Sequence, residues 1–270
     1  MIEVRDVHFT YPNGVQALRG VSLSVDRGEF VAIMGENGAG KTTLIKHFNG
    51  LLKPTKGTVL VDGVDTRKST VAQLSRKVGI VFQNPENQFF CESVYDEVAF
   101  ALKNFGFPED EVEERVTETL RRFGLEKYAK RSPFLLSGGE KKRVAIASVL
   151  AWDPEYVVMD EPTVGQDYKA KTELLNLIYT LLDEGRAVVV VTHDVEFVAE
   201  CEPRVVLISQ GRILADGEAH EVFSDFGLLS KASVVPPQSA RFTQMVFGQP
   251  RALNVEEAVR LLSSMLGVGR

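Results

Sequence analysis

The chain has 270 residues, of which 44% are hydrophobic and 25% are charged, and its formal net charge is −6 at pH 7. This composition is typical of a globular protein and excludes a disordered chain. The acidic balance provides no overall basic field, so we expect no nucleic-acid partner.

The N-terminal segment MIEVRDVHFTYPNG has no basic region followed by an apolar core, so it predicts no signal peptide. The longest apolar runs, such as AVVVV at residues 187–191, are far shorter than the roughly 20 residues that span a bilayer. Work at a membrane would therefore require a separate membrane partner. Cys91 and Cys201 fit neither a zinc site nor a disulfide framework, and we expect both to be packing residues, which allows a reducing compartment.

The N-terminal part of the chain consists of short apolar segments separated by glycines. IEVRDVHFTY and VSLSV predict antiparallel strands, and GEFVAIMG predicts a buried strand. A helix from about Lys41 to Asn49 follows. GTVLVDG and VGIVFQ (residues 78–83) then predict two further strands.

Residues 84–152 have a helical pattern instead. The first predicted helix begins with a potential capping box of Ser93 and Asp96. One face of this helix is predicted to contain Val94, Val98, Ala101 and Phe105. A second helix begins at Pro108 and ends at Gly124. Its apolar stripe consists of Val112, Val116 and Leu120.

Strands and helices alternate again in the last third of the chain. EYVVMD and AVVVV predict buried strands, residues 167–184 and VEFVAEC predict helices, and RVVLISQGRILADG predicts a hairpin across Gln210-Gly211. Near-continuous apolar strands between helices predict a mostly parallel sheet that is covered on both faces. Past about residue 225 the pattern weakens, and NVEEAVRLLSSML predicts one capped amphipathic helix from Asn254.

The segment GENGAGKTT follows a predicted strand and opens a predicted helix, which is the context of a P-loop. Its glycines allow backbone N–H groups to point at phosphate oxygens. Lys41 supplies a positive charge for the β- and γ-phosphates, and Thr42 supplies a hydroxyl ligand for Mg²⁺. We therefore predict that the nucleotide is bound by Gly35, Asn37, Gly38, Ala39, Gly40, Lys41, Thr42 and Thr43.

YVVMDEPT (residues 156–163) is an apolar strand that ends in two carboxylates. Asp160 suits the Mg²⁺ shell, and Glu161 is placed to accept a proton from attacking water or to orient that water. The alternative is that both residues only cap the following helix. VVVVTHD ends another buried strand with His193, for which we favour contact with the γ-phosphate over a purely structural role.

Three further positions have less specific signals. Gln83 ends the strand VGIVFQ, where a glutamine could contact the metal or the water and report their presence to the helical segment. Tyr11 could stack an adenine ring on its face, although a half-buried strand tyrosine fits the local sequence nearly as well. Phe89 and Phe90 fit either core packing or a docking surface, and we interpret the charged runs EDEVEER and EKKR as solvated helix faces.

LLSGGEKKRVAIASVLAW (residues 135–152) predicts a third helix with Ser137 and Glu140 as its capping box. The adjacent Gly138 and Gly139 leave a helix N-terminus with unpaired N–H groups and the positive end of the dipole, which suits an anion. The chain therefore contains a second potential phosphate site, formed by Ser137, Gly138, Gly139 and Glu140.

These motifs, in this order, resemble those of the ATP-binding cassette (ABC) ATPases over about residues 1–225. By this resemblance GENGAGKTT is a Walker A motif, VVMDE is a Walker B motif with its following glutamate, LSGGE is the family signature and VGQD is the D-loop. Tyr11 matches the adenine-stacking aromatic residue, Gln83 the Q-loop glutamine and His193 the switch histidine. The resemblance implies ATP and Mg²⁺ as ligands and ATP hydrolysis as the activity.

The predicted fold is α/β, with a P-loop (RecA-like) core and a mostly parallel sheet. An N-terminal antiparallel β subdomain and an inserted α-helical subdomain at about residues 84–152 complete the nucleotide-binding domain, residues 1–225. Residues 226–270 are predicted to form a small C-terminal domain.

The family resemblance also implies a dimer. LSGGE would contact the γ-phosphate of the ATP held by the P-loop of a second ABC ATPase subunit, so that two ATP molecules lie between two subunits. Every hydrolytic residue is present, which favours a homodimer, and a heterodimer with a paralogue stays open. Two positions depart from the family pattern: Glu140 replaces the commoner glutamine of the signature, and Gln166 replaces the usual leucine of the D-loop.

FQNPENQFFCESVYDEVAFALKN is similar to the stretch after the Q-loop in the energizing subunits of energy-coupling-factor (ECF) transporters, and ALNVEEAVRLL is similar to their C-terminal domain. That group includes importers of cobalt, nickel and vitamins. It implies a transmembrane coupling protein that docks near Gln83, a separate membrane protein that captures the substrate, and a location at the cytoplasmic face of the membrane. The alternatives are a subunit of another ABC importer or exporter and a soluble ABC ATPase outside transport.

Overall fold

The computed structural model describes residues 1–266, and these form two β-sheets flanked by helices. The first sheet has four antiparallel strands in the order β2-β1-β4-β5. Its strands are β1 (Ile2–Thr10), β2 (Gln16–Val25), β4 (Lys56–Val61) and β5 (Val64–Asp65). The predicted N-terminal antiparallel strands are therefore confirmed.

The second sheet has six strands in the order β10-β9-β3-β8-β7-β6. Its strands are β3 (Phe30–Met34), β6 (Val78–Val81), β7 (Tyr156–Asp160), β8 (Ala187–Val191), β9 (Arg204–Ser209) and β10 (Arg212–Glu218). Neighbouring strands are parallel except for the β9–β10 hairpin. The predicted mostly parallel sheet and its closing hairpin are thus confirmed.

Strand β8 shows why this sheet is central. All of its residues are fully buried, and successive side chains point to opposite faces of a strand. Val189 and Val191 belong to the hydrophobic cluster shared with the antiparallel sheet. Val188 and Val190 belong to the larger cluster shared with the helices. A strand that is buried on both faces has no polar face, which explains the uninterrupted valine run in the sequence.

The described residues form eleven α-helices. These are α1 (Lys41–Ile45), α2 (Val71–Ser75), α3 (Val94–Asn104), α4 (Glu109–Arg122), α5 (Gly138–Leu150), α6 (Tyr168–Asp183), α7 (Val195–Cys201), α8 (Ala219–Ser224), α9 (Phe226–Lys231), α10 (Gln238–Phe247) and α11 (Val255–Leu266). Helix α1 is shorter than predicted, because the N–H groups of His47 and Phe48 bond three residues back and tighten the chain into turns.

Helices α3 to α5 follow β6 and pack against one another. Val112, Val116 and Leu120 of α4 are buried as predicted. The predicted apolar face of α3 is wrong in its second half, because Leu102 is fully buried whereas Ala101 is only partly buried and Phe105 caps the helix. The two remaining members of the predicted face, Val94 and Val98, are fully buried.

The two predicted capping boxes differ in the structure. At α5 the box is complete: Ser137 accepts from the Glu140 N–H, and the Glu140 carboxylate accepts from the Ser137 N–H at 2.8 Å. At α3 only half of the box forms, because the Asp96 carboxylate accepts from the Ser93 hydroxyl rather than from its backbone N–H. Aspartate is one methylene shorter than the glutamate that normally closes this motif.

Trp152, the only tryptophan of the chain, lies just after α5. Its indole N–H donates to the carbonyl of Ser75 at 3.1 Å. Its ring meets Phe105 edge-on, with 5.5 Å between the ring centroids. The ends of α2, α3 and α5 therefore meet at one side chain.

The C-terminal segment packs on the central cluster. Leu229, Ala232 and Leu253 are buried in the same cluster as the sheet-covering helices. The predicted helix from Asn254 is confirmed: its side-chain oxygen accepts from the Glu257 N–H at 3.0 Å and caps α11. Helices α8, α9 and α10 were not predicted, and neither was the short helix α2. The predicted domain boundary at residues 225 and 226 stays a prediction, and its final residues, 267–270, lie outside the described residues.

No helix within residues 1–266 has both the length and the apolar character needed to cross a bilayer.

Candidate functional site

The P-loop connects β3 to α1 at the carboxyl edge of the parallel sheet. Gly40 has a φ of +106°, and a Cβ there would lie 2.6 Å from the carbonyl oxygen of Ala17, so glycine is required. Gly38 also has a left-handed φ and faces open space. Neither of these glycines uses its N–H for a hydrogen bond within residues 1–266. Both N–H groups are therefore available to phosphate oxygens.

Lys41, the first residue of α1, folds back over this loop. Its ammonium group donates to the carbonyls of Gly35 at 2.7 Å and Glu36 at 2.9 Å. Burial lowers the pKa of Lys41, and the nearby carboxylates of Glu161 and Asp160 oppose that shift. The cation is thus held inside the loop, where it can exchange carbonyl partners for phosphate oxygens.

Thr42 and Asp160 meet although they are far apart in sequence. The Thr42 hydroxyl donates to Oδ2 of Asp160 at 2.8 Å. Oδ1 of Asp160 is buried and has no hydrogen-bond partner within the described residues. Burial raises the pKa of Asp160, the Thr42 hydrogen bond opposes that rise, and the Glu161 carboxylate adds to it.

This pair fits Mg²⁺. A buried carboxylate oxygen without a partner, beside a hydroxyl group, is a hard oxygen donor set of the kind that Mg²⁺ prefers. Gln83, the other predicted metal contact, is exposed, and its side chain makes no hydrogen bond within residues 1–266. The structure therefore brings Thr42 and Asp160 together but does not join Gln83 to them.

Glu161 and His193 form the second pair of the site. Strands β7 and β8 are parallel neighbours with Asp160 opposite Val191, so the residues that follow them meet at one edge. Nδ1 of His193 lies 2.8 Å from Oε2 of Glu161. The Thr192 hydroxyl donates to the same oxygen at 3.3 Å. Thr192 was not a predicted site residue, and its place directly before His193 is the signal that could have identified it.

Tyr11 lies beside the P-loop helix, just after β1. Its hydroxyl is 2.9 Å from Oγ1 of Thr43, and its ring meets Phe9 edge-on at 4.8 Å. The ring is half-buried against the cluster shared by the two sheets. Both sequence interpretations of Tyr11 remain compatible with this position, because a half-buried ring at the P-loop can still present one face to a base.

The signature segment is separate from the P-loop. Ser137, Gly138 and Gly139 are exposed at the N-terminus of α5. Within residues 1–266, no hydrogen bond or ion pair connects Ser137–Glu140 with Gly35–Thr43. The Tyr128 hydroxyl and the Ser137 groups donate to the Glu140 carboxylate and lower the pKa of Glu140 to about 2. The predicted site residues therefore fall into two groups on one chain.

One interpretation from the sequence is revised at the helical segment, and Phe89 and Phe90, for which two alternatives were open, differ from each other. Lys142 of the EKKR run is not a solvated side chain: its ammonium group donates to the carbonyls of Pro162 and Val164. Phe89 is buried, whereas Phe90 is 72% exposed and stacks on Phe100. Periodicity along one helix contains no signal for contacts with a segment 20 residues further along the chain.

A family model described as ABC transporter matches residues 18–164, which is more than half of the chain. The chain belongs to the ABC transporter family. It is therefore an ABC ATPase, with the α/β P-loop fold of that family.

One curated relative of this ABC ATPase is the energy-coupling factor transporter ATP-binding protein EcfA of Methanothermobacter thermautotrophicus. The two are 45% identical over 99% of this chain and 88% of the relative. The EcfA protein of Methanocaldococcus jannaschii is 42% identical over 91% of this chain and 89% of the relative.

Solved structures agree with this assignment. CbiO1 of Clostridium perfringens, described as part of the ABC transporter complex cbiONQ, has a TM-score of 0.75 and 36% identity, and covers 92% of this chain and 95% of its own. A dimeric post-hydrolysis state of the ATP-binding cassette MJ0796 bound to ADP and Pi has a TM-score of 0.74 and 32% identity, and covers 81% of this chain and 99% of its own. The protein is an ATP-hydrolysing member of the family.

Proposed function

We propose that this ABC ATPase is the energizing subunit of an ECF-type transporter and that it powers uptake of a micronutrient, a metal ion or a vitamin. The relatives named EcfA support this proposal because they match 99% and 91% of the chain. The similar CbiO1 structure, part of a transporter complex, supports it as well.

In this proposal the first group of residues binds and cleaves ATP. The P-loop residues Gly35 to Thr43 hold the phosphates, with Lys41 neutralising the β- and γ-phosphates, and Tyr11 stacks on the adenine. Thr42 and Asp160 would hold Mg²⁺, which when bound would neutralise charge on the phosphate oxygens.

Catalysis is assigned to the end of the parallel sheet. Glu161 accepts a proton from the attacking water or orients that water, because its carboxylate lies beside the P-loop and its Oε1 accepts no hydrogen bond within residues 1–266. His193 holds Oε2 of Glu161 and is proposed to contact the γ-phosphate with its exposed ring. Gln83 is proposed to reach the water or the metal when nucleotide is bound.

The single structural observation that carries the proposed pairing of two ATPase subunits is the separation of the signature from the P-loop. Ser137, Gly138 and Gly139 form an exposed helix N-terminus that, within residues 1–266, makes no hydrogen bond or ion pair with the P-loop residues Gly35 to Thr43. An exposed anion site of this kind suits a phosphate held by another subunit. We infer that two subunits enclose two ATP molecules, in a homodimer or in a heterodimer with a paralogue. The dimeric state of the similar MJ0796 cassette supports this arrangement.

The proposed membrane partners are a transmembrane coupling protein and a membrane protein that captures the substrate. The coupling protein would dock near Gln83, where Phe90 and Phe100 present stacked, exposed rings. This places the ATPase at the cytoplasmic face of the membrane, as a peripheral subunit. No nucleic-acid partner is proposed, because the chain is acidic.

The test is to purify the tagged ATPase from gently solubilised membranes of its native cells. We expect one polytopic coupling protein and one small, very hydrophobic protein to co-purify, and the latter can then be tested for binding of metal ions and vitamins. Phe90→Ser should reduce this recovery. Tyr168→Ser, which alters an equally exposed aromatic residue on α6, is the matched control.

Two other outcomes of this purification would contradict the proposal, and each would indicate a different function. Recovery of a coupling protein without a small hydrophobic partner would indicate another class of ABC importer or exporter. Recovery of only soluble proteins or nucleic acid would indicate an ABC ATPase outside transport.

A further inference from the structure

Lys142 connects two motifs of the same chain. It lies on α5, two residues after the signature residue Glu140. Its ammonium group donates to the Pro162 carbonyl at 3.0 Å and also to the Val164 carbonyl. Both carbonyls belong to the segment that leads from Glu161 into the D-loop. Helix α5 is therefore tied to the backbone beside the proposed catalytic carboxylate.

The segment held by Lys142 has an unusual backbone. Glu161 is a non-glycine residue in the left-handed region, with a φ of +51°, and such residues persist where their surroundings hold them. Turn bonds stabilise the segment: the Val164 N–H bonds to Glu161 and the Gln166 N–H bonds to Thr163. Within residues 1–266, neither the Pro162 nor the Val164 carbonyl accepts from a backbone N–H. Lys142 supplies the donors that this turn lacks.

The neighbouring Lys141 shows that this contact is specific to one position. Lys141 points to another segment and pairs with the carboxylate of Glu86. An open groove of about 280 Å³ lies among these segments, lined in part by Glu86, Lys142 and Val164. Lys142 thus extends from α5 to backbone carbonyls, which hold a segment in place, rather than to a surface carboxylate.

We propose that Lys142 is a positioning residue that holds Glu161 in its working conformation and couples it to the position of the signature helix. This inference rests on the proposed ATP-enclosing dimer, in which the signature of one chain contacts the nucleotide of its partner. The signature and Glu161 of one chain then serve two different ATP molecules. When α5 is displaced by the ATP molecule that its signature contacts, Lys142 transmits the displacement to Glu161, which acts on the other ATP molecule.

The first test compares three variants. Lys142→Met keeps an unbranched apolar stem, one atom shorter than lysine, but removes every donor. Lys142→Arg retains donors, and Lys141→Met is the matched control on the same turn of α5. We expect Lys142→Met to lower kcat by about tenfold or more, since small misplacements of catalytic groups have effects of this size. Its KM for ATP should stay within about twofold, because the P-loop is unaltered. Lys142→Arg should restore most of kcat, and Lys141→Met should retain it.

The second test identifies the chain on which Lys142 acts. A small, limiting amount of chain with intact Glu161 is mixed with an excess of Glu161→Gln chain before ATP is added. Each intact Glu161 then lies in a dimer whose other subunit is a Glu161→Gln chain. Lys142→Met is then placed either on the limiting chain or on the excess chain. Loss of kcat only when it lies on the limiting chain supports the inference. Equal loss in both arrangements, loss only on the excess chain, or no loss overturns it.

Failure of the proposed dimer is recognised separately. If the Glu161→Gln chain stays monomeric with ATP in gel filtration, the ATP-enclosing dimer itself is wrong. If that chain dimerises and Lys142→Met retains wild-type kcat, only the role of Lys142 is wrong. Thermal unfolding of Lys142→Met and Lys142→Arg shows whether a loss of kcat follows from lost stability instead. Unfolding midpoints equal to that of the wild type, together with a kcat that Lys142→Arg restores, support a positioning role.

Discussion

Nδ1 of His193 lies 2.8 Å from Oε2 of Glu161, and this contact joins the ends of two neighbouring strands. The Glu161 residue is 6% exposed, whereas the His193 side chain is 62% exposed. Oε2 also accepts from the Thr192 hydroxyl and faces the backbone N–H of His193. Oε1 accepts no hydrogen bond within residues 1–266, so it is the oxygen that can meet a water molecule.

Replacing Glu161 by Gln should abolish turnover and retain ATP binding. Glutamine preserves the shape and a hydrogen-bond acceptor but cannot take a proton. We expect the rate of phosphate release to fall by about 10²–10⁴-fold, the usual contribution of a general base. Binding of a fluorescent ATP analogue should change little. Phosphate release at the wild-type rate would show that Glu161 is not the base.

Replacing Thr42 by Val should raise the Mg²⁺ requirement. Valine has nearly the same shape, but it removes the hydroxyl that bonds to Asp160. We expect the Mg²⁺ concentration for half-maximal ATPase activity to rise by about tenfold or more, because losing even a residue that only supports a metal ligand typically lowers metal affinity by about 10–100-fold. A Mg²⁺ titration of Thr42→Val beside Thr43→Val, which removes the neighbouring hydroxyl, measures the difference. An unchanged titration for Thr42→Val would contradict the proposed metal site.

The stability contribution of Glu140 should depend on pH. The Tyr128 hydroxyl, followed by the Ser137 groups, lowers the pKa of Glu140 from 4.5 to about 2. A carboxyl whose pKa is depressed by folding stabilises the folded state above its unfolded pKa, and this contribution is lost as pH falls through the folded value. The wild-type protein should therefore have a higher melting temperature than Glu140→Gln near neutral pH, and this difference in melting temperature should shrink below about pH 4.5. Melting curves across this range test it, and a constant difference would exclude the charge as the cause.

The two thiols should differ in reactivity. Cys201 is buried and donates to the Phe197 carbonyl, and burial strongly raises the pKa of its thiol. Burial also raises the pKa of Cys91, but Cys91 is partly exposed. A thiol reagent should therefore modify Cys91 slowly and Cys201 only on unfolding, because the thiolate is the reacting form. The Cys91→Ser variant should show no reaction before its unfolding transition, and an early reaction would place Cys201 near solvent.

Much of the fold could be predicted because its signals are local. The stripe Val112, Val116 and Leu120 repeats at the helical period, and the P-loop glycines precede a helix directly. On α3, the residues three and four positions after Val98 both lie near its face, so packing decided between Ala101 and Leu102. Helix α10 has no apolar period, since its buried positions are Ser239, Ala240 and Thr243.

The residues of the site also fall into those that local motifs predict and those whose contacts depend on the tertiary structure. Lys41 and Asp160 could be predicted from motifs, because each stands at the end of a strand or the start of a helix. The Thr192 contact with Glu161 requires knowledge of strand order, since β7 and β8 are neighbours only in the folded sheet. The Lys142 contact with Pro162 requires the packing of α5, which no local pattern specifies.

The position of Trp152 gives the protein a built-in optical reporter. Its indole touches the ends of α2 and α3 and directly follows α5, so its emission depends on how those three helices meet. No other tryptophan contributes to the signal. A change in its emission wavelength during turnover would record, without any attached dye, the moment at which the helical segment shifts against the sheet.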